Sequence, residues 1–279
     1  MIELGKKQGL MVVKTVDFGI YLAQNMNAEA KDRVLLPKKQ VPEGTKQGDS
    51  LEVFIYKDSK DRLIATTNAP ALTLGETAVL KVVQVTKIGA FLDWGLEKDL
   101  LLPYHEQTFR VRQEDECLVA LYIDKSQRLC ATMKVYPYLS KNPPYVIGDK
   151  VQGRVYEKSE NFGVFVAVDD RYTALIPRKE AQGSFRLGEV LKLRVTEIKE
   201  DGKMNVSPRQ KAYLQMDDDA QKILGVIDEF AGVLPFDDKA SPVVIEREFG
   251  LSKNAFKRAV GRLLKERKIE IKDRRIYKL

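Results

Sequence analysis

The chain of 279 residues contains few of the residue types that build disulfide frameworks, metal sites and nucleophilic active sites. It has two cysteines, one histidine and one tryptophan. Two cysteines cannot make a disulfide framework, and Cys117 and Cys130 each lie in a strand-like run, so we expect buried free thiols. His105 follows a proline and has no cysteine or acidic partner at a zinc-ligand spacing. We therefore expect a surface histidine and no metal site.

Long apolar runs are also missing. The most apolar segment, residues 223–236, is interrupted by Asp228 and Glu229, whereas a bilayer span needs roughly 20 apolar residues. The first residues do not form a basic segment followed by an apolar stretch, so no signal peptide is expected. The acids at 217–219 are predicted to favour a helix N-terminus rather than to bind Mg²⁺. Without an apolar span or a signal peptide, we predict a cytoplasmic protein with no membrane partner. The sequence also has no phosphate-binding glycine loop, so we predict no cofactor, no small-molecule substrate and no enzymatic activity.

What the chain does contain is one sequence pattern in three copies. Each copy has a glycine inside a strand-like run and a proline that ends the next strand. The glycines are Gly19, Gly89 and Gly163, and the prolines are Pro37, Pro103 and Pro177. An acid follows each proline by 12 residues, and a further strand ends 17 or 18 residues after the acid. This fixed spacing indicates three self-folding repeats of about 70 residues each.

Each repeat reads as five short strands, with apolar and polar residues alternating in segments such as residues 190–198. Five strands in so few residues predict a small closed barrel of the OB type. In the third repeat Phe162 and Phe165 are three residues apart, so strict alternation would place their rings on opposite faces. We expect a bulge at Gly163 to bring both rings to the outside of the barrel.

This pattern, which covers roughly residues 5–210, resembles the S1 RNA-binding domain, a variant of the OB fold. In that family two aromatic residues around the glycine stack on bases, and a basic residue of the last hairpin joins them. The resemblance implies RNA contacts from Phe18, Tyr21 and Arg62 in repeat 1, Phe91 and Arg128 in repeat 2, and Phe162, Phe165 and Lys203 in repeat 3. Repeat 2 has Ile88 in place of one aromatic. Its Trp94 and Tyr104 are expected to pack rather than to stack on bases.

After residue 210 the pattern predicts three amphipathic helices and a hairpin near residues 272–274. The expected capping residues are Ser241, Pro242 and Gly250 for the second helix and Ser252 for the third. The predicted apolar stripes are Ile223, Val226, Ile227 and Phe230 on the first helix, and Phe256, Val260, Leu263 and Leu264 on the third. Three helices followed by a hairpin resemble a winged helix.

The charge of this C-terminal region is strongly asymmetric. Residues 217–248 carry 3 basic and 9 acidic side chains, a net of −6, and residues 253–279 carry 11 and 3, a net of +8. On the third helix, Asn254, Arg258, Arg262 and Lys265 lie opposite the apolar stripe, where a recognition helix presents side chains to nucleic acid. The alternative is a solvated basic face that docks against an acidic neighbour.

Charge also differs among the repeats. The net charges are +3 for residues 5–68, −1 for residues 74–134 and +2 for residues 145–210. We therefore expect repeat 2 to be mainly a spacer. We also expect residues 145–279 to carry most of the affinity for nucleic acid, because they combine the two-phenylalanine platform with the basic helix.

Together these patterns predict a mainly β multidomain protein, with three tandem OB-type, S1-like barrels at residues 1–69, 70–138 and 139–212 and an α/β winged-helix domain at residues 213–279. This domain order resembles the conserved virulence factor B family (YitL-like proteins), a group regarded as RNA-binding regulators. The resemblance implies binding of single-stranded RNA and post-transcriptional regulation of gene expression, including virulence. Two alternatives remain: a DNA-binding transcription regulator acting through the winged helix, and a scaffold that contacts no nucleic acid.

Overall fold

A computed structural model of the chain describes residues 2–181, 183–208 and 212–279. The chain divides into two compact units, Met1–Pro208 and Arg209–Leu279. The first unit holds the three repeats, and the second holds three helices and a small sheet. Among the helices formed by the described residues, none combines the length and the apolar character that a membrane span requires.

Each repeat consists of five strands. Repeat 1 contains β1 (Lys7–Val16), β2 (Gly19–Ala23), β3 (Val34–Pro37), β4 (Ser50–Lys57) and β5 (Leu63–Thr66). Repeat 2 contains β6 (Thr77–Val85), β7 (Gly89–Asp93), β8 (Leu100–Pro103), β9 (Glu116–Ile123) and β10 (Leu129–Thr132). Repeat 3 contains β11 (Lys150–Ser159), β12 (Gly163–Val168), β13 (Tyr172–Pro177), β14 (Val190–Ile198) and β15 (Met204–Ser207). The predicted five-strand pattern is thus confirmed in all three repeats.

The strands of repeats 1 and 3 form closed barrels. In repeat 1 the hydrogen-bonded order is β1-β2-β3-β5-β4, and repeat 3 follows the same order. The ring is completed by a parallel pairing between the third and fifth strands. Repeat 2 keeps the order as an open sheet, β10-β9-β6-β7-β8, so the β8–β10 ladder that would complete its ring is absent among the described residues.

The repeated glycine and proline lie opposite each other on neighbouring strands. In repeat 3, Gly163 pairs with Pro177, and the φ of Gly163 is +125°. A Cβ atom on Gly163 would clash with the carbonyl oxygen of Ile176. The prediction of a bulge at Gly163 is wrong. The register shifts between Val155 and Glu157 on the neighbouring strand β11, so the bulged residue is Tyr156. Glycine is required here for positive φ and close approach of backbone, not for a bulge.

The three repeats pack against one another within the first unit. Phe54 and Tyr56 of β4 are buried in the core of repeat 2, and the Phe54 and Trp94 ring centroids are 5.7 Å apart. A second apolar cluster joins β9 of repeat 2 to Tyr156 and Ala167 of repeat 3. Repeat 2 therefore shares buried surface with both of its neighbours.

Several side chains have the structural roles that the sequence predicts. Trp94 is buried and donates from Nε1 to the Lys98 carbonyl at 2.6 Å, and the Tyr104 hydroxyl donates to the Thr86 carbonyl at 2.5 Å. His105 is at the surface. The free thiols of Cys117 and Cys130 are buried, and burial raises the pKa of Cys117 to about 12 and that of Cys130 to about 11.

The second unit has the element order of a winged helix. Its elements are α1 (Ala212–Glu229), β16 (Val233–Leu234), α2 (Pro242–Phe249), α3 (Lys253–Lys265), β17 (Ile269–Lys272) and β18 (Arg275–Lys278). The three strands pair in the order β16-β18-β17. The two-residue strand β16 is an addition to the predicted elements, and the three helices and the hairpin are confirmed.

The predicted helix caps are present. Ser241 Oγ accepts a hydrogen bond from Val244 N at 3.3 Å, and Ser252 Oγ accepts one from Ala255 N at 3.3 Å. Gly250 ends α2 with a φ of 58°, a left-handed conformation suited to glycine. Both helices therefore begin, and α2 also ends, where their local sequence specifies.

The apolar stripes are confirmed with two corrections, and Val226 is half-buried. The predicted residues that are buried are Ile223, Ile227, Phe256, Val260 and Leu263. Leu264 lies at the surface while Ala259 is buried, because the core-facing stripe of α3 is shifted around the helix toward Ala259 and has the same width as predicted. Phe230 lies beyond the end of α1 and is exposed.

The prediction that the acids at residues 217–219 lie at a helix N-terminus is wrong, because these residues lie in the second turn of α1. The side chains of residues 217 and 218 are outside the described part of the chain.

Candidate nucleic-acid interface

Repeat 3 presents two phenylalanine rings together on its surface. Phe162 immediately precedes β12, and Phe165 is the third residue of that strand. The two ring centroids are 6.4 Å apart, with an interplanar angle of 61°. Phe162 is 63% exposed, whereas Phe165 is half-buried, and its ring centroid lies 6.2 Å from that of Tyr156. The backbone beneath Phe162 is fixed, because its carbonyl accepts a hydrogen bond from Arg178 N at 3.0 Å.

These rings line a cleft of about 370 Å³. The other residues that matter to its chemistry are Tyr136, Glu157, Thr173, Lys199, Lys203 and Asn205. Lys203 Nζ donates a hydrogen bond to Asp201 Oδ2, and the two atoms are 2.7 Å apart. This bond raises the pKa of Lys203, so its side chain is a cation at neutral pH. The cleft thus combines exposed aromatic faces with two lysines, an arrangement that suits a flat ring attached to a phosphate.

The sequence predicts only part of this cleft. Phe162, Phe165 and Lys203 are brought together as expected, and Lys199 joins them. Tyr136 was missed, since it lies between repeats 2 and 3 and belongs to neither five-strand pattern. Its tyrosine–proline–tyrosine context at residues 136–138 was the available signal. Glu157 was also missed, although repeat alignment places it where the first two repeats have lysine and glutamine.

Repeat 1 presents a similar pair. Phe18 is 58% exposed, and its ring centroid is 6.4 Å from that of Tyr21 at an interplanar angle of 85°. On the β4–β5 hairpin, Arg62 donates from Nε and Nη2 to Asp58 Oδ2 at 2.9 and 2.7 Å. Burial alone would raise the pKa of Asp58, but hydrogen bonds from Arg62 and Lys60 outweigh it and lower that pKa. Arg62 is therefore oriented by a charged partner and remains largely exposed.

Repeat 2 departs from this arrangement. Ile88 is exposed and Phe91 is half-buried, and both line a cleft of about 260 Å³ whose walls include Tyr56 and Asp61 of repeat 1. Arg128 donates from Nε to Asp61 Oδ1 at 3.0 Å and from Nη2 to Asp61 Oδ2. The predicted basic contact of repeat 2 is thus engaged with the hairpin of repeat 1.

Helix α3 exposes most of its predicted basic face. Three of the four predicted side chains are at the surface: Asn254, Arg258 and Lys265. Arg262 is half-buried and donates from Nε to Glu266 Oε1 at 2.7 Å. Hydrogen bonds from Lys268 and Arg262 lower the pKa of Glu266 to about 2, so the carboxylate stays charged at neutral pH. Arg262 therefore contributes less net positive charge to this face than the sequence suggests.

Comparison with protein families matches almost every element. The S1 domain model matches residues 4–68 and 74–134. The model described as "Virulence regulatory factor CvfB, second domain" matches residues 140–210, and the model described as "CvfB-like winged helix domain" matches residues 221–277. The S1 description therefore applies to repeats 1 and 2, and a separate family description applies to repeat 3.

Curated proteins and one solved structure resemble the chain over most of its length. The chain is 32% identical over 238 residues to conserved virulence factor B of Staphylococcus saprophyticus, covering 82% of this chain and 79% of that protein. It is 31% identical over 275 residues to the uncharacterized protein YitL of Bacillus subtilis, covering 95% and 90%. A crystal structure of a multidomain protein with nucleic acid binding domains from Streptococcus pneumoniae covers 99% of this chain and 98% of its own, at a TM-score of 0.51 and 24% identity.

Proposed function

Because the chain belongs to the conserved virulence factor B family, we propose that it is a cytoplasmic protein that binds single-stranded RNA and regulates gene expression after transcription. The proposed role is binding alone, with no catalytic step. Virulence regulation, which the family name states for the relatives, is the process in which we place this activity.

The observation that carries the proposal is the cleft of repeat 3. Phe162 and Phe165 lie outside the repeat-3 core, which consists mainly of valine, leucine, isoleucine and methionine, and Phe165 packs partly against the cluster that joins repeats 2 and 3. Lys199 and Lys203 lie beside them. Stacking on aromatic side chains contributes about 1–3 kcal/mol per base, and lysines supply the salt-sensitive attraction to phosphate.

Single-stranded RNA fits this cleft better than duplex DNA. A base can enter between side chains only when it is unstacked from its neighbours, which is the normal state of loops and single strands. Duplex DNA keeps its bases stacked and offers groove edges instead. The exposed Asn254, Arg258 and Lys265 of α3 supply a second, basic contact surface, which favours DNA as the alternative partner.

A binding comparison tests the proposal. Fluorescence anisotropy with the full chain would compare single-stranded RNA, single-stranded DNA and duplex DNA of equal length over a range of salt concentrations. We expect the tightest binding to single-stranded RNA and a steep loss of affinity with salt. Equal or tighter binding of random duplex DNA at physiological salt would favour a transcription regulator. Absence of binding to all three would favour a protein scaffold.

A further inference from the structure

The cleft of repeat 3 has a third aromatic wall that comes from outside the repeat. Tyr136 lies in a short 3-10 turn, Tyr136–Tyr138, between repeats 2 and 3. The neighbouring Val135 and Leu139 are buried in the cluster that joins the two repeats. Ser140 is held to β13, since Thr173 N donates to its carbonyl at 3.1 Å. Tyr136 is therefore fixed on both sides, and its partly exposed ring faces the cleft of Phe162 and Phe165.

The same cleft contains the carboxylate of Glu157. Glu157 on β11 pairs in register with Phe165 on β12, so it lies directly beside the stacking platform. Among the described residues, its carboxylate makes no hydrogen bond or ion pair. The matching positions are Lys14 opposite Tyr21 in repeat 1 and Gln84 opposite Phe91 in repeat 2. Repeat 3 therefore places a negative charge where repeat 1 has a positive one.

A carboxylate in such a place repels phosphate but can accept hydrogen bonds from a base. An ionised carboxylate is acceptor-only and can accept two parallel bonds. Guanine presents two adjacent donors on its Watson–Crick edge, N1–H and the N2 amino group. Adenine, cytosine and uracil each present a single donor group there, beside at least one acceptor that a carboxylate repels. Guanine also carries the acceptor O6, which suits the ammonium groups of Lys199 and Lys203 in the same cleft.

We propose that this cleft selects guanine in single-stranded RNA. The base stacks among Phe162, Phe165 and Tyr136, and Glu157 accepts hydrogen bonds from its N1–H and N2 amino group. The inference rests on the proposed RNA-binding function and adds base selectivity to it. Tyr136 contributes to affinity for any base, and Glu157 determines which base is preferred.

The test uses the full chain and oligouridine decamers with one central guanosine, adenosine, cytidine or inosine. Anisotropy at fixed salt should show the guanosine decamer binding about tenfold tighter than the adenosine and cytidine decamers, the scale of one bidentate base contact. Inosine, which lacks the N2 amino group, should bind at an intermediate level. Tyr136→Ala should weaken binding of all the decamers by about the same factor, and Tyr136→Phe should bind like the natural chain.

Two charge-matched variants isolate the role of Glu157. Glu157→Gln and Glu160→Gln each remove one negative charge from the same region, and Glu160 is exposed in the turn after β11. Glu160→Gln should tighten binding of every decamer slightly and keep the guanosine preference, whereas Glu157→Gln should weaken the guanosine decamer to near the level of the others, so that the preference falls to near unity. Equal binding of all decamers by the natural chain, or an unchanged preference in Glu157→Gln, would overturn guanine selection while leaving RNA binding intact. If no decamer binds, the proposed function fails as well.

Discussion

Phe162 and Phe165 are available for binding because the fold does not need both rings in a core. Apolar side chains of this size are usually buried, so the exposed ring of Phe162 beside the half-buried ring of Phe165 marks an interaction surface. The positive φ and close backbone contact of Gly163 hold the first ring at the strand entrance. The recognition surface and the repeated glycine are therefore parts of one local arrangement.

Replacing both rings should separate stacking from charge. Phe162→Ala combined with Phe165→Ala should cost a few kcal/mol of affinity for single-stranded RNA, at ~1–3 kcal/mol per stacked base, with little change in the salt slope. Anisotropy titrations at several salt concentrations measure both quantities. Ile147→Ala, which removes another exposed apolar side chain of the same repeat, is the control and should bind normally. Loss of the folded circular dichroism spectrum in the double variant would instead assign the rings to the core.

Gly163→Ala should destabilise the first unit strongly. The substitution forces a side chain onto a φ of +125° and places a Cβ against the Ile176 carbonyl. Positive-φ strain alone costs on the order of 1–3 kcal/mol, and the backbone clash adds to it. Gly44→Ala is the matched control, because its φ is +80° but no atom lies within 4 Å of the added Cβ. Urea unfolding of the two variants should differ clearly, and equal midpoints would refute the close-contact explanation.

At the scale of elements, α3 has one apolar face and one basic face, and the sequence determines both. One face places Phe256 and Val260 in the core of the second unit, and the other exposes Arg258 and Lys265 to solvent. Ser252 fixes where the helix begins and therefore which residues belong to each face. The position of the basic residues is thus a direct consequence of the cap and of the helical period.

Neutralising this face should weaken binding in a salt-dependent way. Arg258→Gln with Lys265→Gln should lower the affinity for RNA and reduce the salt slope by about 1.4, since each phosphate contact contributes about 0.7 for single strands. Lys222→Gln with Lys239→Gln removes the same charge from exposed positions outside α3 and is the control. If the control reduces affinity and slope equally, overall charge rather than the α3 face attracts the RNA.

The elements show what a sequence can and cannot predict. The caps at Ser241 and Ser252 and the five strands of each repeat depend on local chemistry, and they were predicted correctly. The bulge was misplaced because it lies at Tyr156, on a strand whose pairing partner decides the register. Tyr136 was missed because its contact with the cleft depends on how two repeats pack, which no short-range pattern records.

At the scale of the whole molecule, the three repeats are not independent domains, because neighbouring repeats share apolar clusters. Repeat 2 buries Phe54 and Tyr56 of repeat 1 and also packs against Tyr156 of repeat 3. A cut before residue 145 would remove Tyr136 from the cleft and uncover part of the repeat 2–repeat 3 contact. A fragment that measures the affinity predicted for residues 145–279 must therefore begin early enough to keep Tyr136.

The boundary between the two compact units offers a cut that leaves the packing of the three repeats intact. A fragment ending at Pro208 should fold cooperatively, bind single-stranded RNA through the repeat-3 cleft and show a smaller salt slope than the full chain, because it lacks α3. Thermal denaturation checks the fold, and anisotropy compares the fragment with its Phe162→Ala, Phe165→Ala version. A folded fragment without RNA affinity would mean that the cleft contributes nothing by itself.

The burial of Phe54 and Tyr56 of repeat 1 in the core of repeat 2 also bears on the order in which the two repeats fold as the chain is synthesised. Repeat 1 closes with its own core residues, so it can form as soon as its fifth strand leaves the ribosome. Repeat 2 has an open sheet, and its interior is completed by Phe54 and Tyr56, which are already in place when β6 to β10 emerge. The apolar surface formed by Phe54 and Tyr56 is thus available to the second repeat as it emerges. A nascent chain that stops before β6 lacks the repeat 2 side chains that bury Phe54 and Tyr56.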